Sequence, residues 1–183
     1  MEEKKVDYVK EIVDTIIYFA ILFLIVLLIH TFVGEQIKVR GSSMENTLHN
    51  GNRLFLEKLT YRFGSPKRFD IVVFKPQNAG KDVYYIKRII GLPNETVQII
   101  DDQIFIDGEV LEESYGNNPI EHAGIASEPI VLSDDEYFVL GDNRNNSSDS
   151  RNPSVGVVKL DTIEGRAWAR IWPFNEMGVL KHQ

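Results

Sequence analysis

The stretch VYYIKRIIGLP, residues 83–93, is the strand signal from which the fold of this 183-residue chain can be worked out. In a strand, residues 83, 85, 87 and 89 share one face, and residues 84, 86, 88 and 90 share the other. Each face then carries one cation, Lys87 or Arg88, among apolar and aromatic neighbours. Such a lysine is expected to be partly desolvated, which lowers its pKa by about 3–5 units at most and favours the neutral amine. The alternative is a solvated lysine on an edge strand.

Other short runs rich in β-branched and aromatic residues lie on both sides of this strand. They are RLFLEKL (53–59), FDIVVFK (69–75), ETVQII (95–100), QIFIDGEVL (103–111), EYFVLGDN (136–143) and GRAWARIW (165–172). Asp101 and Asp102 separate two of these runs, and the dipeptide at 107–108 predicts a tight hairpin turn. No strong amphipathic helix follows residue 35, and residues 112–128 have the polar composition of a loop. We predict a mainly β, antiparallel domain over residues 35–183.

The N-terminal part of the chain carries an apolar run at residues 16–33, IIYFAILFLIVLLIHTFV, with no Asp, Glu, Lys or Arg. Its 18 residues approach the roughly 20 that cross a bilayer core. A cleaved signal peptide is the alternative, but no small-x-small site follows the run. We therefore predict a retained transmembrane helix at 16–33 after a short cytoplasmic segment at 1–15. The cations that flank the run favour this orientation only slightly.

The composition excludes several classes of function. The formal net charge of −7 argues against a nucleic-acid partner. There is no cysteine, and hence no disulfide, thiol nucleophile or cysteine metal site. The four histidines have no metal-ligand spacing and leave few candidates for a Ser-His-Asp triad. We expect no metal site and no cofactor.

Two further stretches are rich in serine. VRGSSMENTLHNGN, residues 39–52, places adjacent serines soon after the predicted helix, and a neutral lysine can activate a serine hydroxyl as a nucleophile. GDNRNNSSDSR, residues 141–151, is dense in short polar residues that bond their own backbone. There, Asp149 and Arg151 can pair, and Ser147 can form a hydrogen bond with a buried amine. The alternative for 141–151 is an ordinary turn rich in Asn and Asp.

Taken together, residues 43–48 (SMENTL), 87–93 (KRIIGLP) and 141–151 resemble the sequence boxes of bacterial type I signal peptidases, the membrane-bound Ser-Lys endopeptidases. The boxes stand in the family's order, after an anchor helix. The resemblance implies that Ser43 is the nucleophile and Lys87 the general base. It also implies that Ser147 holds the Lys87 amine and that Asp149 and Arg151 form a supporting pair. The neighbouring Ser42 is expected to face the other way in an extended segment and to be structural.

The same resemblance implies a substrate and a location. The substrates would be secretory preproteins, cut after leaders that end in a small-x-small pattern. The leader would lie extended along residues 36–41 and 84–86. Shallow apolar pockets would be lined by Val39, Met44, Leu48, Tyr85 and Ile86, although plain core packing is equally open for each of the five. The enzyme would be a single-pass protein of the bacterial cell membrane with its catalytic domain outside the cytoplasm. Its lipid contacts would include Trp168, Trp172 and Phe174.

Several positions depart from the family pattern. Asn46 stands in place of proline, Asn52 in place of aspartate, and Phe69 and Asn94 in place of glycine. Asparagine tolerates positive φ, whereas phenylalanine is disfavoured there. Gly41 occupies the position where some members carry a serine that binds the oxyanion, so that role would fall to the Ser43 backbone N–H.

Two alternatives remain open from the sequence. The first is a catalytically weak or silent membrane-tethered β module that binds exported chains, and the departures would suit it. The second is a Ser-Lys protease that cuts something other than leaders, as in the related self-cleaving repressors. Those proteins carry a DNA-binding domain where this chain has an apolar helix.

Overall fold

The computed structural model describes residues 8–28, 34–76, 80, 83–116 and 118–180. The first element is helix α1 (Tyr8–Leu28), so residues 8–15, which the prediction placed before the transmembrane helix, are helical. The last five residues of the predicted transmembrane segment, 29–33, lie outside the described residues. Within the described ranges, no helix combines the length and the apolar character that a bilayer crossing requires. The transmembrane helix therefore stays a prediction, as do the domain boundaries drawn from it.

The rest of the described chain is mostly β, which confirms the predicted fold class. The strands are β1 (Gly34–Lys38), β2 (Arg53–Glu57), β3 (Ile71–Phe74), β4 (Tyr85–Gly91), β5 (Thr96–Ile100), β6 (Gln103–Ile106), β7 (Glu109–Val110), β8 (Ile130–Val131), β9 (Glu136–Leu140), β10 (Val158–Lys159), β11 (Ile163–Trp172) and β12 (Gly178–Val179). A short helix α2 (Thr60–Phe63) and 3₁₀ turns at Gly124–Ser127, Leu160–Thr162 and Phe174–Glu176 complete the set. The predicted loop at 112–128 is irregular in its described part, apart from the first of these turns.

The strands form two antiparallel sheets. The larger has the order β1-β2-β11-β3-β4-β9-β10, with β12 beside β11, and the smaller has the order β7-β6-β5-β8. The predicted hairpin turn at residues 107–108 is confirmed, and residues 101–102 form a second hairpin turn. They join β5 to β6 and β6 to β7, with φ of 45° and 68° at Asp101 and Asp102 and of 51° and 85° at Asp107 and Gly108. Two successive positive φ angles are what the favoured two-residue hairpin turn requires.

Two strand edges of the larger sheet are open, and they border the same cavity. In the described sheet, β1 pairs only with β2. Strand β4 pairs with β3 from Tyr85 to Arg88, but β9 pairs only with Arg88, Ile89 and Gly91. Residues 85–87 therefore have one edge without a strand partner in the described sheet. Because the cavity is lined by β1 and by residues 84–87, it lies between these two edges.

An apolar cluster of buried side chains lies beneath the cavity and packs against the strands that flank it. Its buried members are Val39, Met44, Leu48, Leu54, Ile71, Ala167 and Leu180. Ile37 of β1 and Ile86 of β4 pack against this cluster. The two strands that flank the cavity are therefore anchored on one core. Burying such side chains contributes about 1.5–3 kcal/mol each, so the packing of Ile37 and Ile86 ties both flanking strands to the stability of the core.

Candidate functional site

Lys87 and Ser43 meet at one end of the cavity. Strand β4 presents the lysine, and its Nζ donates a hydrogen bond of 2.7 Å to Ser43 Oγ. A second bond, of 3.1 Å, goes to the Ile86 carbonyl oxygen. The lysine is only 4% exposed, so the solvated edge lysine is excluded and the buried one is confirmed. This distance is within hydrogen-bond reach of a nucleophile and its base.

The environment of Lys87 favours its neutral amine. Burial lowers the pKa of Lys87 to about 8, while the carboxylates of Asp149 and Asp142 act in the opposite direction and limit the decrease. The ammonium loses hydration in this pocket, and the Tyr85 ring, whose centroid lies 5.2 Å from Nζ, offsets part of that loss by a cation–π contact. A base with a pKa near neutrality is available in its unprotonated form at ordinary pH.

The loop that carries Ser43 is closed on itself by backbone bonds. Val39 N–H donates to the Asn52 carbonyl oxygen at 2.9 Å, and Gly51 N–H donates to the Val39 carbonyl oxygen at 3.0 Å. Gly41 and Gly51 have φ of 90° and 93°, with open space where a Cβ would stand. Both positions therefore need glycine for its backbone freedom. The departure at Asn52 is structural, because its Oδ1 accepts from the backbone N–H of His49 at 3.0 Å.

The segment 141–151 holds the Ser43 loop in place. Asn143 donates through its backbone N–H to the Ser43 carbonyl oxygen at 3.0 Å, and through Nδ2 to the Ser42 carbonyl oxygen at 3.1 Å. Asn146 Nδ2 donates to Ser42 Oγ at 2.9 Å. Ser42 is thus a tether rather than a second candidate nucleophile. Sequence reasoning missed both asparagines, because it attributed this composition to bonds within the turn.

Ser147 does not make the contact that the sequence resemblance implied. Its Oγ is buried and has no hydrogen-bond partner among the described residues, and Lys87 Nζ bonds Ser43 and Ile86 instead. The hydroxyl lies beside Gly141, where a Cβ would overlap both Ser147 Oγ and the Ser43 carbonyl oxygen. Gly141 therefore allows the two segments to approach closely.

Asp149 and Arg151 form the pair expected from the sequence. Arg151 donates through Nε to Asp149 Oδ1 at 2.8 Å and through Nη2 to Oδ2 at 2.9 Å. The same carboxylate accepts from the Gly141 backbone N–H at 3.0 Å. Arg151 Nη1 also donates to the His122 carbonyl oxygen at 3.2 Å. The ion pair is buried and bidentate, so it holds the turn that follows β9 in place. The bond to His122 joins this turn to the irregular segment around residue 122.

A second buried ion pair was not foreseen. Arg88 follows Lys87 on β4 and donates to Asp142 through Nε at 2.9 Å and through Nη2 at 2.7 Å, with both side chains fully buried. Arg88 Nη1 reaches the Phe69 carbonyl oxygen at 2.9 Å, and Thr47 Oγ1 donates to Asp142 Oδ2 at 2.5 Å. The Tyr115 ring lies 3.5 Å from Arg88 Cζ. This pair joins the strand of the base to both the nucleophile loop and the 141–151 segment.

Two departures from the family pattern have left-handed backbones. Asn94 has φ of 67°, as expected for a position that glycine can occupy. Phe69 has φ of 70°, where a bulky side chain is strained. Its backbone N–H donates to the Ile89 carbonyl oxygen at 2.8 Å, and its ring packs on Tyr115 with centroids 5.1 Å apart. Those contacts hold the residue in a conformation that its side chain alone would disfavour.

The cavity has a volume of about 550 Å³. Its lining includes Ser43 and Lys87 and all but one of the predicted substrate-binding residues, namely Val39, Gly41, Met44, Tyr85 and Ile86. Leu48 is the exception, since it is fully buried in the core cluster and lies away from the cavity wall. Val39 and Met44 belong to both sets, being core residues whose outer atoms form the wall.

Comparisons with known proteins find a family model and a solved structure to which the chain is similar. The family model for signal peptidases of the peptidase S26 family matches residues 6–172. A signal peptidase I from Enterococcus faecalis, known from its crystal structure, is 35% identical, with a TM-score of 0.46 over 55% of this chain and 95% of that chain.

The curated relatives cover most of the chain. Signal peptidase I T of Bacillus subtilis is 41% identical over 165 residues, which span 86% of this chain and 84% of the relative. Signal peptidase I S of the same species is 37% identical over 185 residues, or 97% and 98% of the two chains. The probable signal peptidase I-2 of Synechocystis sp. is 42% identical over 157 residues, or 83% and 69%. The chain therefore belongs to the peptidase S26 family and is a serine peptidase of the signal peptidase I type.

Proposed function

We propose that Ser43 and Lys87 carry out the leader removal of this signal peptidase as nucleophile and general base. The 2.7 Å contact between Ser43 Oγ and a buried lysine whose pKa is lowered to about 8 supports these roles. The neutral amine takes the hydroxyl proton as Oγ attacks the carbonyl carbon of the scissile bond. The protonated Lys87 then returns that proton to the leaving amine. Water, deprotonated by the same lysine, hydrolyses the acyl ester and frees Ser43.

The oxyanion of each tetrahedral intermediate would be bound by the Ser43 backbone N–H. Gly41, two residues before the nucleophile, brings no side chain to the cavity wall. The oxyanion hole of this protein would therefore consist of backbone N–H donors. A single such donor can be worth about 2.7–4 kcal/mol of transition-state stabilisation, so the arrangement is compatible with catalysis.

The leader would bind as an added strand between β1 and residues 85–87. Both edges are open to the cavity, and backbone groups of an extended peptide can pair with each. Val39 and Met44 are only 3% and 2% exposed, so the wall beside Ser43 is densely packed. Such a wall leaves room for small side chains. This supports cleavage after leaders with small residues at the first and third positions before the cut.

We also propose that the enzyme acts at a bacterial cell membrane, with α1 as part of a single-pass anchor and the β domain outside the cytoplasm. The apolar side chains of α1 are exposed along its length, Phe23 by 70%, and a face of this kind is suited to lipid. Phe174 is exposed by 71%, and Trp168 and Trp172 of β11 are partly exposed.

We expect the protein to remain in the membrane fraction after alkaline extraction. Its release into the supernatant would refute the anchor.

The catalytic assignment is tested by processing of a labelled preprotein in liposomes, with the wild type, Ser43→Ala and Ser42→Ala at matched levels. We expect Ser43→Ala to release no mature product. Ser42→Ala should retain most of the activity, because it loses only the tether to Asn146. Wild-type activity that survives in Ser43→Ala would overturn the assignment. If the folded wild type released nothing from a panel of leaders, the tethered binding module would replace the peptidase.

The pH profile should follow the ionisation of Lys87. We expect kcat/KM for a leader peptide without ionisable side chains to rise with pH and to level off above an apparent pKa of about 8, since only the neutral amine acts as a base. The pKa of Lys87 in the folded protein lies below the ordinary lysine value of 10.5, so burial of Lys87 costs stability below pH 8 and that cost is relieved as the pH rises from 8 to 10.5. Initial rates between pH 6 and 10 test this, and a flat or falling profile across pH 8 would contradict the role of Lys87.

A further inference from the structure

The floor of the cavity changes character along β1. Glu35, Ile37 and Val39 occupy alternate positions, so they share one face of the extended segment, and all three line the cavity. Val39 lies nearest in sequence to Ser43, and Glu35 lies near the start of the strand. The floor is therefore apolar beside the catalytic pair and acidic at the opposite end. Lys38 and Arg40 are exposed and also line the cavity; by the same alternation they belong to the other face of the segment, and both lie nearer in sequence to Ser43 than Glu35 does.

A second carboxylate, that of Glu164, lines the same cavity. In the cross-strand register, Arg166 pairs with Glu57, and Glu57 pairs with Gly34. Glu164 of β11 thus lies across β2 from the beginning of β1, at the end of the cavity that Glu35 occupies. No ion pair or hydrogen bond joins the Glu164 carboxylate to another described residue, whereas Glu35 lies 3.3 Å from Lys58 Nζ. Glu164 is the uncompensated charge of this end.

The spacing relates these carboxylates to the leader. Both β1 and residues 85–87 run toward the catalytic pair, so a leader that enters from the start of β1 lies parallel to them. Each residue of such a chain advances about 3.3 Å, and every second side chain faces the floor. If the residue before the cut faces Val39, the third faces Ile37 and the fifth faces Glu35. The fifth residue before the cut is then the one that meets the acidic end.

We propose that Glu164, with Glu35 on the same cavity lining, forms a subsite that selects a lysine or arginine at the fifth position before the cleavage site. This rests on the proposed function and adds to it a residue that determines specificity. The two carboxylates are partly exposed, so each contributes an amount typical of surface ion pairs, about two- to fivefold in kcat/KM. The preference should weaken in concentrated salt, which screens exposed charges.

The test uses the full-length enzyme in liposomes and leader substrates that differ only in carrying Lys, Gln or Asp at the fifth position before the cut. A further substrate carries Lys at the fifth position after the cut. We expect the wild type to prefer Lys over Gln about two- to fivefold and to disfavour Asp, with no effect of the lysine placed after the cut. Glu164→Gln should reduce the Lys/Gln ratio toward one. Glu128→Gln, which removes an exposed carboxylate outside the cavity, should leave the ratio as in the wild type.

Each outcome has a distinct meaning. Equal Lys/Gln ratios in the wild type and Glu164→Gln would overturn the subsite, as would a response confined to the lysine after the cut. If the Gln leader is cut by the wild type and not by Ser43→Ala, the proposed function stands even when the subsite fails. If Ser43→Ala cuts that leader as fast as the wild type, the proposed function itself fails, and the subsite with it.

Discussion

Replacing Lys87 by methionine is expected to reduce kcat/KM for leader cleavage by about 10³-fold or more, because the enzyme loses its base and the nucleophile loses its activation. Methionine has a similar length and suits a buried site, so the fold should be preserved. Lys87→Arg should be equally inactive, since a guanidinium remains protonated at every accessible pH. Cleavage of a labelled leader peptide by enzyme of verified secondary structure measures both variants.

The arginine variant separates a base from a merely structural cation. A structural role for the Lys87 charge would leave substantial activity in Lys87→Arg and little in Lys87→Met. Lys67→Met is the matched control, because Lys67 is exposed and lies outside the cavity lining. It should behave as the wild type does. Activity in Lys87→Met within tenfold of the wild type would remove the lysine from the proposed mechanism.

Breaking the buried Arg88–Asp142 pair is expected to destabilise the fold more than any single surface change. Asp142→Leu leaves the Arg88 guanidinium without its carboxylate in a fully buried setting. We expect the free energy of unfolding to fall by about 3–5 kcal/mol. The exposed pair of Arg170 and Glu176, 3.1 Å apart, provides the comparison, and Glu176→Gln should cost less than about 1 kcal/mol. Urea unfolding of the full chain in detergent gives both values.

A double variant tests the physical reason for that loss. Arg88→Met combined with Asp142→Leu removes both charges and fills the space with apolar atoms. Since most of the penalty arises from an unpaired buried charge, the double variant should be clearly more stable than Asp142→Leu alone. If it is less stable, the loss comes from shape and from the contacts to Thr47 and Phe69 instead.

Local patterns in the sequence predicted the parts of the site that depend on neighbours along the chain. Alternation along residues 83–90 predicted a strand and left Lys87 either partly desolvated or solvated at an edge, and short spacing made Asp149 and Arg151 natural partners. The Asp107-Gly108 dipeptide predicted a hairpin turn for the same reason. The helical state of residues 8–15 was not foreseen, because charged residues such as Lys10 and Glu11 interrupt the apolar run while remaining compatible with a helix.

The parts that were missed depend on long-range pairing. Arg88 and Asp142 are 54 residues apart, and neither the apolar alternation nor the composition of the third segment shows which cation meets which carboxylate. The same holds for Asn143, whose bond to Ser42 spans 101 residues. Ser147 illustrates the opposite error, because its expected bond to Lys87 was taken from the resemblance, whereas packing beside Gly141 decides where the hydroxyl lies.

The open edge of β1 has a consequence for the solubility of the protein at high concentration. Free backbone donors and acceptors along a strand invite a second copy of the chain, or a misfolded neighbour, to dock there and seed aggregation. Natural sheets counter this with charge on the exposed edge, and Glu35, Lys38 and Arg40 supply it within a few residues. The edge of β1 that is proposed to pair with the leader therefore carries charged side chains that oppose pairing between copies of the protein. Any attempt to make it more apolar, for tighter inhibitors or altered specificity, would weaken that protection.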